Sequence, residues 1–377
     1  MRISIIGCKG IPAALSLGGG IETHVEELAT RLVGRGHKVT VYVRPYANPR
    51  RLKFYKGVRL ITLPTIRSKN LDTITHTLLS SVHVLFRRAD IVHYHGVGPS
   101  TLSWIPRFFK PRAKVVVTFH SRDRFHEKWG WFAKMYLALG EWTSVVFPDA
   151  TIAVSHSIQI LCRSKFKRFA WYIPNGVDIP SADVGHEDLK LFGLEPNKYF
   201  FTLCRFIPHK AIDDAIRAFR LVETDMKLAI VGFSAKNRKE QDYEEYIRKL
   251  AHGDPRIVFT GKQTGETLKQ LTANAYALIH ASRSEGLAFS ILETMSYGRL
   301  VVMSDIPENL ELIDHSGVAY KVGDIGALRD TLQWLVNDPK IVRERGQRAR
   351  EVAMRLYSWN SVVNRTEALY YSLIHTK

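Results

Sequence analysis

Two glutamates share the run Ser284-Glu285-Gly-Leu-Ala-Phe-Ser-Ile-Leu-Glu293. The turn signal Glu285-Gly286 predicts a helix from about Leu287, with Glu285 at its mouth and Glu293 about two turns in. Both carboxylates would then reach one polar ligand lying across the helix start. There the free N–H groups of Leu287, Ala288 and Phe289 and the helix dipole would hold a phosphate. The alternative is a pair of solvated roles, Glu285 as a cap and Glu293 on an outer face. The apolar neighbours Ile291, Leu292 and Met295 argue for a partly buried Glu293 with a partner. A second group, Cys204-Arg205-Phe-Ile-Pro-His-Lys210, puts two cations in one loop. They suit a diphosphate, Arg205 by bidentate contact and Lys210 as a point charge, or are solvated surface cations.

Gly18-Gly19-Gly20 stands directly before Ile21-Glu22. The loop lets backbone amides at a helix start face an anion, or is a plain turn, and its spacing is not that of a dinucleotide fingerprint. His120 follows the apolar run Val115–Phe119. A lone histidine at such a place is more often structural, but Ser121, Arg122, Asp123 and Arg124 make this loop polar and basic. His93 and His95 form an H-x-H pair with no third ligand evident nearby, so no metal site is expected.

These residues need a scaffold. Arg2–Ile6, Lys38–Val43, Arg59–Leu63, Ile91–His95, Lys114–Phe119 and Thr151–Val154 read as buried strands. Ile21, Val25, Leu28, Ala29 and Leu32 recur at helical spacing between the first two. The second half repeats the scheme, with strands at Tyr199–Leu203, Lys227–Val231, Ile257–Thr260, Ala277–Ile279 and Leu300–Met303. Helical patterns follow at Asp213–Leu221, Tyr243–Ala251, Thr264–Ala273 and Phe289–Tyr297. Apolar strands alternating with helices predict parallel sheets covered on both faces, hence an α/β protein of two doubly wound domains. The turn-rich Ile173-Pro-Asn-Gly-Val-Asp178 is the expected linker. An interdomain cleft would be lined by the loops after Ile6, His95, His120, Leu203, Val231, Thr260 and His280.

The chain has 377 residues and 54 Lys+Arg against 36 Asp+Glu, a net charge of +18. Residues 1–180 carry 27 cations and 10 anions, and the remainder 27 and 26, so almost all the excess lies in the first half. That half should meet something anionic: nucleic acid, a phospholipid surface or a phosphorylated substrate. The basic, aromatic-bearing segments are Arg44–Lys56, Arg107–Lys114, Arg122–Lys134 and Arg163–Trp171. Three scattered cysteines (Cys8, Cys162, Cys204) predict neither a disulfide framework nor a zinc site, and suit a reducing cytoplasm. The opening Met1–Gly7 is too short for a secretory h-region, and no apolar run is long enough to span a membrane.

In this order and at these strand ends, the Gly19-Gly20-x-Glu22 loop, His120, the Ile173–Asp178 linker, Arg205 with Lys210, and the Glu285/Glu293 pair resemble the retaining family-4 glycosyltransferases of the GT-B fold. The resemblance covers nearly the whole chain. Ile5–Ala13 and Lys128-Trp129-Gly130 are more particularly similar to a bacterial rhamnosyltransferase-like branch. The resemblance implies an α/β GT-B fold, two Rossmann-like domains facing an interdomain cleft. Residues 1–175 would form the acceptor side, 176–357 the donor domain, and a final helix within 358–377 would pack back on the first domain.

It also implies roles. Arg205 and Lys210 would bind the donor diphosphate and stabilise the departing nucleotide. Glu293 would hold the ribose hydroxyls, Glu285 a hydroxyl of the donor sugar, and His120 the sugar near its reacting carbon. Gly19 and Gly20 would approach the phosphates, and Gly261 and Lys262 the base. With Leu287, Ala288 and Phe289 these form the donor site, while Glu22, Asp123 and Arg124 lie on the acceptor side. Ala288, Ala211 and Ser121 stand where that family commonly has glycine, which narrows backbone freedom near phosphate.

The implied activity is transfer of a sugar from a nucleotide diphosphate sugar to a glycan or lipid-linked acceptor in cell-surface polysaccharide biosynthesis. It would run without metal or other cofactor, in the cytoplasm and peripherally on an anionic membrane. A hydrolysing sugar-nucleotide epimerase shares the architecture. A nucleic-acid-binding protein would leave the glutamates of the second half idle, and no nucleic-acid partner is expected.

Overall fold

The computed structural model describes residues 1–13, 19–68, 71–122, 124, 130–180, 184–235, 237–313 and 317–375. Asp123, Gly18, Lys128 and Trp129 lie outside the described residues. The chain divides into two compact units, Met1–Gly176 with Trp359–Lys377, and Val177–Ser358.

The first unit holds an eight-stranded sheet. Its strands are β1 (Arg2–Ile6), β2 (Lys38–Val43), β3 (Phe54–Tyr55), β4 (Val58–Thr62), β5 (Ile91–His95), β6 (Lys114–Phe119), β7 (Ala150–Ala153) and β8 (Trp171–Tyr172). Their order is β3-β4-β2-β1-β5-β6-β7-β8, and all pairings are parallel except that of β3 with β4. Ile3, Ile5, Val92, Tyr94, Val115 and Val117 are fully withdrawn from water, as strands covered on both faces must be. The short pairs β3 and β8 were not expected from sequence, because two residues at a sheet edge carry no measurable alternation.

The second unit holds six parallel strands in the order β11-β10-β9-β12-β13-β14. They are β9 (Tyr199–Arg205), β10 (Lys227–Phe233), β11 (Ile257–Gly261), β12 (Ala277–His280), β13 (Leu300–Ser304) and β14 (Gly317–Tyr320). Phe200, Leu228, Ile230, Leu300 and Val302 pack with Ile216, Phe219, Leu328 and Leu332 of the covering helices into one core. Each sheet is thus a Rossmann-like doubly wound layer.

The helix Trp359–His375 belongs to the first unit. Its Glu367 accepts hydrogen bonds from Arg35 at 2.8 Å and His37 at 2.6 Å, and its Tyr370 hydroxyl meets His93 Nδ1 at 2.6 Å. Its first residue seals against Gly176: a Cβ there would lie 2.4 Å from the Trp359 ring, so only glycine fits.

Candidate active site

In the second unit the chemistry gathers where β9 and β12 end. Lys210 closes a short turn, Pro208–Lys210, after β9, and His280 is the last residue of β12. Lys210 Nζ and His280 Nε2 converge on one oxygen of Glu285, the lysine by a short ion pair and the histidine at 3.0 Å. Burial pushes the Glu285 carboxyl up, but Lys210 and His280 outweigh it and hold the group well below the usual glutamate range. Glu285 Oε2 makes no hydrogen bond among the described residues, so one oxygen of a fixed carboxylate is left for a ligand hydroxyl.

Glu293 is placed differently. The helix runs Phe289–Ser296 with Ala288 as its N-cap, so it starts where the apolar pattern places it and two residues later than the Glu285-Gly286 turn signal predicts. Gly286 and Leu287 are spent on the turn, and Glu293 sits little more than one turn in, not two. Leu287 is therefore a turn residue and not a helix-start amide. The Glu293 carboxyl has no hydrogen-bond partner among the described residues, and burial alone pushes it up to about 7. The expected built-in partner is absent among these residues, which suits a group awaiting a ligand.

Arg205, at the end of β9, turns its guanidinium to Glu240 at 2.6 Å and remains half exposed. Glu240 also accepts the Ala235 N–H at 2.8 Å and is held below its ordinary value despite partial burial. Arg205 and Lys210 thus share a strand end, but each carries its own carboxylate. Gly261 takes a left-handed φ of 71° at the end of β11, and the Lys262 ammonium sits 4.8 Å from the centre of the Phe233 ring. Ala211 occupies a left-handed conformation, φ 49°, where glycine is the unstrained choice.

The first unit carries its own cavity, of about 460 Å³, lined by Lys9, Gly19, Gly20, His95, Phe132 and Tyr136 among others. Glu22 also lines it, but its oxygens are occupied: one accepts the Lys9 N–H at 3.0 Å, the other the Gly19 N–H at 2.9 Å. Glu22 therefore ties the glycine loop to the helix Gly20–Gly34. Arg124 is not in this cavity's wall. With Arg122 and Lys165 it surrounds the fully buried Glu141, Arg124 at 2.9 Å. Arg44 is likewise buried, paired with Asp72 at 2.5 Å. These three arginines, expected among surface cations, are in fact committed to internal carboxylates.

His120 is buried beside two other histidines. His95 Nδ1 lies 3.0 Å from His120 Nε2, and the two rings stack at 5.3 Å. The ring of His24, from the helix Gly20–Gly34, meets His120 edge-on at 4.9 Å and bonds Asn175 Oδ1 through Nδ1 at 3.0 Å. One ring nitrogen from each of His24, His95 and His120 lies within 4.8 Å of the others. This corrects the expectation that the H-x-H pair lacks a nearby third histidine: residue 24 is far off in sequence and adjacent in space. Burial keeps all three uncharged at neutral pH. His24 falls to about 4, and the other two lie well below the ordinary value.

Sequence reasoning missed His24, Glu240 and the bond from His280 to Glu285. The signal for His280 was present, since it ends a strand just as His120 follows one. His24 and Glu240 lie within helices, and nothing local marks them.

Comparison with known proteins fits this geometry. Residues 18–180 match Glycosyltransferase Family 4 and residues 189–352 match Glycosyl transferases group 1. The chain is 27% identical to the N-acetyl-alpha-D-glucosaminyl L-malate synthase of Bacillus anthracis over 49% of its own length and 48% of that enzyme. It thus spans about half of that relative. It is 26% identical to the phosphatidyl-myo-inositol mannosyltransferase of Mycobacterium leprae over 98% of its length and 96% of that enzyme. Among solved structures, the sucrose-phosphate synthase of Thermosynechococcus elongatus superposes with a TM-score of 0.84 at 20% identity, covering 100% of both chains. Anabaena HepE in complex with UDP-glucose gives 0.79 at 18%, covering 99% of this chain and 100% of that one. At these identities the structural likenesses speak for the GT-B fold. Among the described residues no helix is long and apolar enough to cross a membrane.

Proposed function

For a chain that is a glycosyltransferase, built from a family 4 domain followed by a group 1 domain, we propose retaining transfer of a sugar from a nucleotide diphosphate sugar to a glycan or lipid-linked acceptor. The observation that carries this reading is the convergence of Lys210 and His280 on Glu285 at the ends of β9 and β12. A lysine ammonium has three N–H donors, and Glu285 takes one direction only. The remaining donors, with the half-exposed Arg205, would receive the diphosphate as negative charge builds on the departing nucleotide. Two placed cations do there what a divalent ion does elsewhere, so the reaction is proposed to need no metal. Glu285 Oε2 would accept a sugar hydroxyl and Glu293 the ribose hydroxyls.

In the transfer, the bond from the anomeric carbon to the diphosphate oxygen breaks, and the electron pair leaves with the nucleotide. The acceptor hydroxyl oxygen forms the new bond on the same face, and its proton passes to a donor phosphate oxygen. His120 would face the donor sugar, and the cavity lined by Glu22, Phe132 and Tyr136 would take the acceptor. The opening segment supports a rhamnosyltransferase-like preference and a place in cell-surface polysaccharide synthesis.

The first unit also supports work at the cytoplasmic face of an anionic membrane. Trp131 and Phe132 are about three-quarters exposed and Phe108 and Phe109 about two-thirds. Arg112, Lys134, Arg163 and Lys167 of the same unit are exposed as well. Each cation near an anionic surface is worth about 1 kcal/mol.

A thermal-shift screen of nucleoside diphosphates and their sugars, activated rhamnose included, tests the donor site. A donor bound to the native state raises the melting temperature. Stabilisation by one nucleotide sugar, lost in Glu293→Ala, is the expected result. No response to any nucleotide, or formation of an epimer from donor alone, overturns the reading.

A further inference from the structure

A neutral imidazole has one N–H and one lone pair, and its hydrogen-bond partners decide which nitrogen holds the proton. His95 Nδ1 and His120 Nε2 are 3.0 Å apart, so one donates and the other accepts. His95 Nε2 is buried and has no hydrogen-bond partner among the described residues. Suppose His120 donated. His95 Nδ1 would then accept, its own proton would sit on Nε2, and a buried N–H would be left with nothing to bond. If His95 donates from Nδ1, the group left alone is a lone pair. Orphaned buried N–H groups are the rarer of the two, which decides the direction.

We infer that His95 is a positioning residue: its Nδ1–H donates to His120 Nε2 and thereby fixes His120 with its own proton on Nδ1. The arrangement is held from several sides. The His24 ring packs against both imidazoles at 5.4 and 4.9 Å, and His24 is itself fixed by Asn175. His93, 4.1 Å from the His95 ring, is bound at both nitrogens, by Tyr370 and Thr118. Burial keeps His95 and His120 neutral, so no second proton blurs the assignment.

This rests on the proposed placement of His120 at the donor sugar. It sharpens that placement, because His120 Nδ1 makes no hydrogen bond to the described residues. His120 then offers the sugar an N–H and no lone pair. It binds an oxygen and does not take the acceptor's proton, which leaves that proton to the donor phosphate.

The tautomer is read directly from long-range ¹H–¹⁵N correlation spectra of the full chain labelled at histidine. His120 is assigned by comparison with His120→Gln. The expected wild-type spectrum shows His120 protonated on Nδ1. His95→Asn places an amide N–H₂ where Nδ1–H stood, and should keep that tautomer and most of the turnover. His95→Ala should let both tautomers populate and lower kcat by about 10²-fold, the loss typical of one misplaced donor, with little change in donor KM.

A wild-type His120 protonated on Nε2 overturns the inference, as does an unaltered tautomer in a folded His95→Ala. One equivalent of tightly held zinc in the purified protein would also overturn it, since the histidine lone pairs would then be on the metal. The wild-type spectrum needs neither substrate nor variant. Failure of the glycosyl-transfer reading would show separately, as the absence of any donor-induced stabilisation.

Discussion

Glu285 and Glu293 are carried by one turn and the helix that follows it, and both are largely withdrawn from water, yet among the described residues Glu285 is met by the Lys210 ammonium and the His280 ring and Glu293 by neither. Lys210 and His280 hold Glu285 ionised, whereas burial alone raises Glu293 to about 7. One site thus contains a permanent anion and a carboxyl that titrates near neutrality.

The raised carboxyl makes stability depend on pH in a definite direction. Folded Glu293 keeps its proton up to about 7, while the unfolded chain releases it near 4.5. Its stabilising contribution is complete below 4.5 and is lost as pH rises through that window. Glu293→Gln removes the dependence. Relative to wild type, the variant should gain stability between pH 5 and pH 8, by at most about 3 kcal/mol. Denaturant melts of both proteins at the two pH values measure this, and parallel pH slopes would refute it.

Lys210 and Arg205 should behave unlike one another. Lys210→Met leaves the Glu285 carboxylate with His280 alone in a site that is mostly buried. The expected loss is about 3 kcal/mol of stability. Where the protein still folds, kcat should fall by about 10²- to 10³-fold. Arg205→Ala breaks a half-exposed pair with Glu240 and should cost less than about 1 kcal/mol. Its effect should appear in donor affinity. Equal unfolding midpoints for the two variants would contradict the difference in burial.

Gly176→Ala tests the seal on the last helix. A methyl group there overlaps the Trp359 ring, which must move. Overpacking of this kind costs about 1–3 kcal/mol. Hydrogen exchange should localise the loosening to the helix Trp359–His375, and protection there equal to wild type would show that the ring is free to shift.

The aromatic face of the first unit makes a further prediction. Trp131→Ser combined with Phe132→Ser removes two exposed rings without touching the core. Co-sedimentation with anionic vesicles should weaken by about thirtyfold or more, given about 1 kcal/mol or more for each of the two rings no longer buried in lipid. Equal binding of the wild type to neutral and anionic vesicles would remove the electrostatic part of the reading.

How much was legible follows from distance along the chain. Strands such as Lys114–Phe119 announce themselves in six residues, because burial on both faces forces an apolar run. Arg205, Lys210 and Glu285 stood out because they sit at strand ends or in the loops that follow them, where sheets of this class bind ligands. The apolar pattern Phe289–Tyr297 placed the helix start correctly, whereas the turn signal at Glu285-Gly286 put it two residues early, since a turn signal does not say how many residues the turn consumes. The partners were hidden. That Glu240 would take Arg205, that Glu141 would draw in Arg122 and Arg124, and that His24 would face His120 are all matters of tertiary pairing. No local periodicity encodes them.

The helix Trp359–His375 gives biosynthesis an order. Its Tyr370 braces His93, two residues before His95, and its Trp359 stands 5.5 Å from His24. During translation the second unit has its whole sequence outside the ribosome before the first unit does, although the first was begun earlier. The histidine cluster is therefore closed by a segment that emerges after the whole second unit, and a chain not yet extended through it, already holding Lys210, Glu285 and Glu293, is without the brace behind His93.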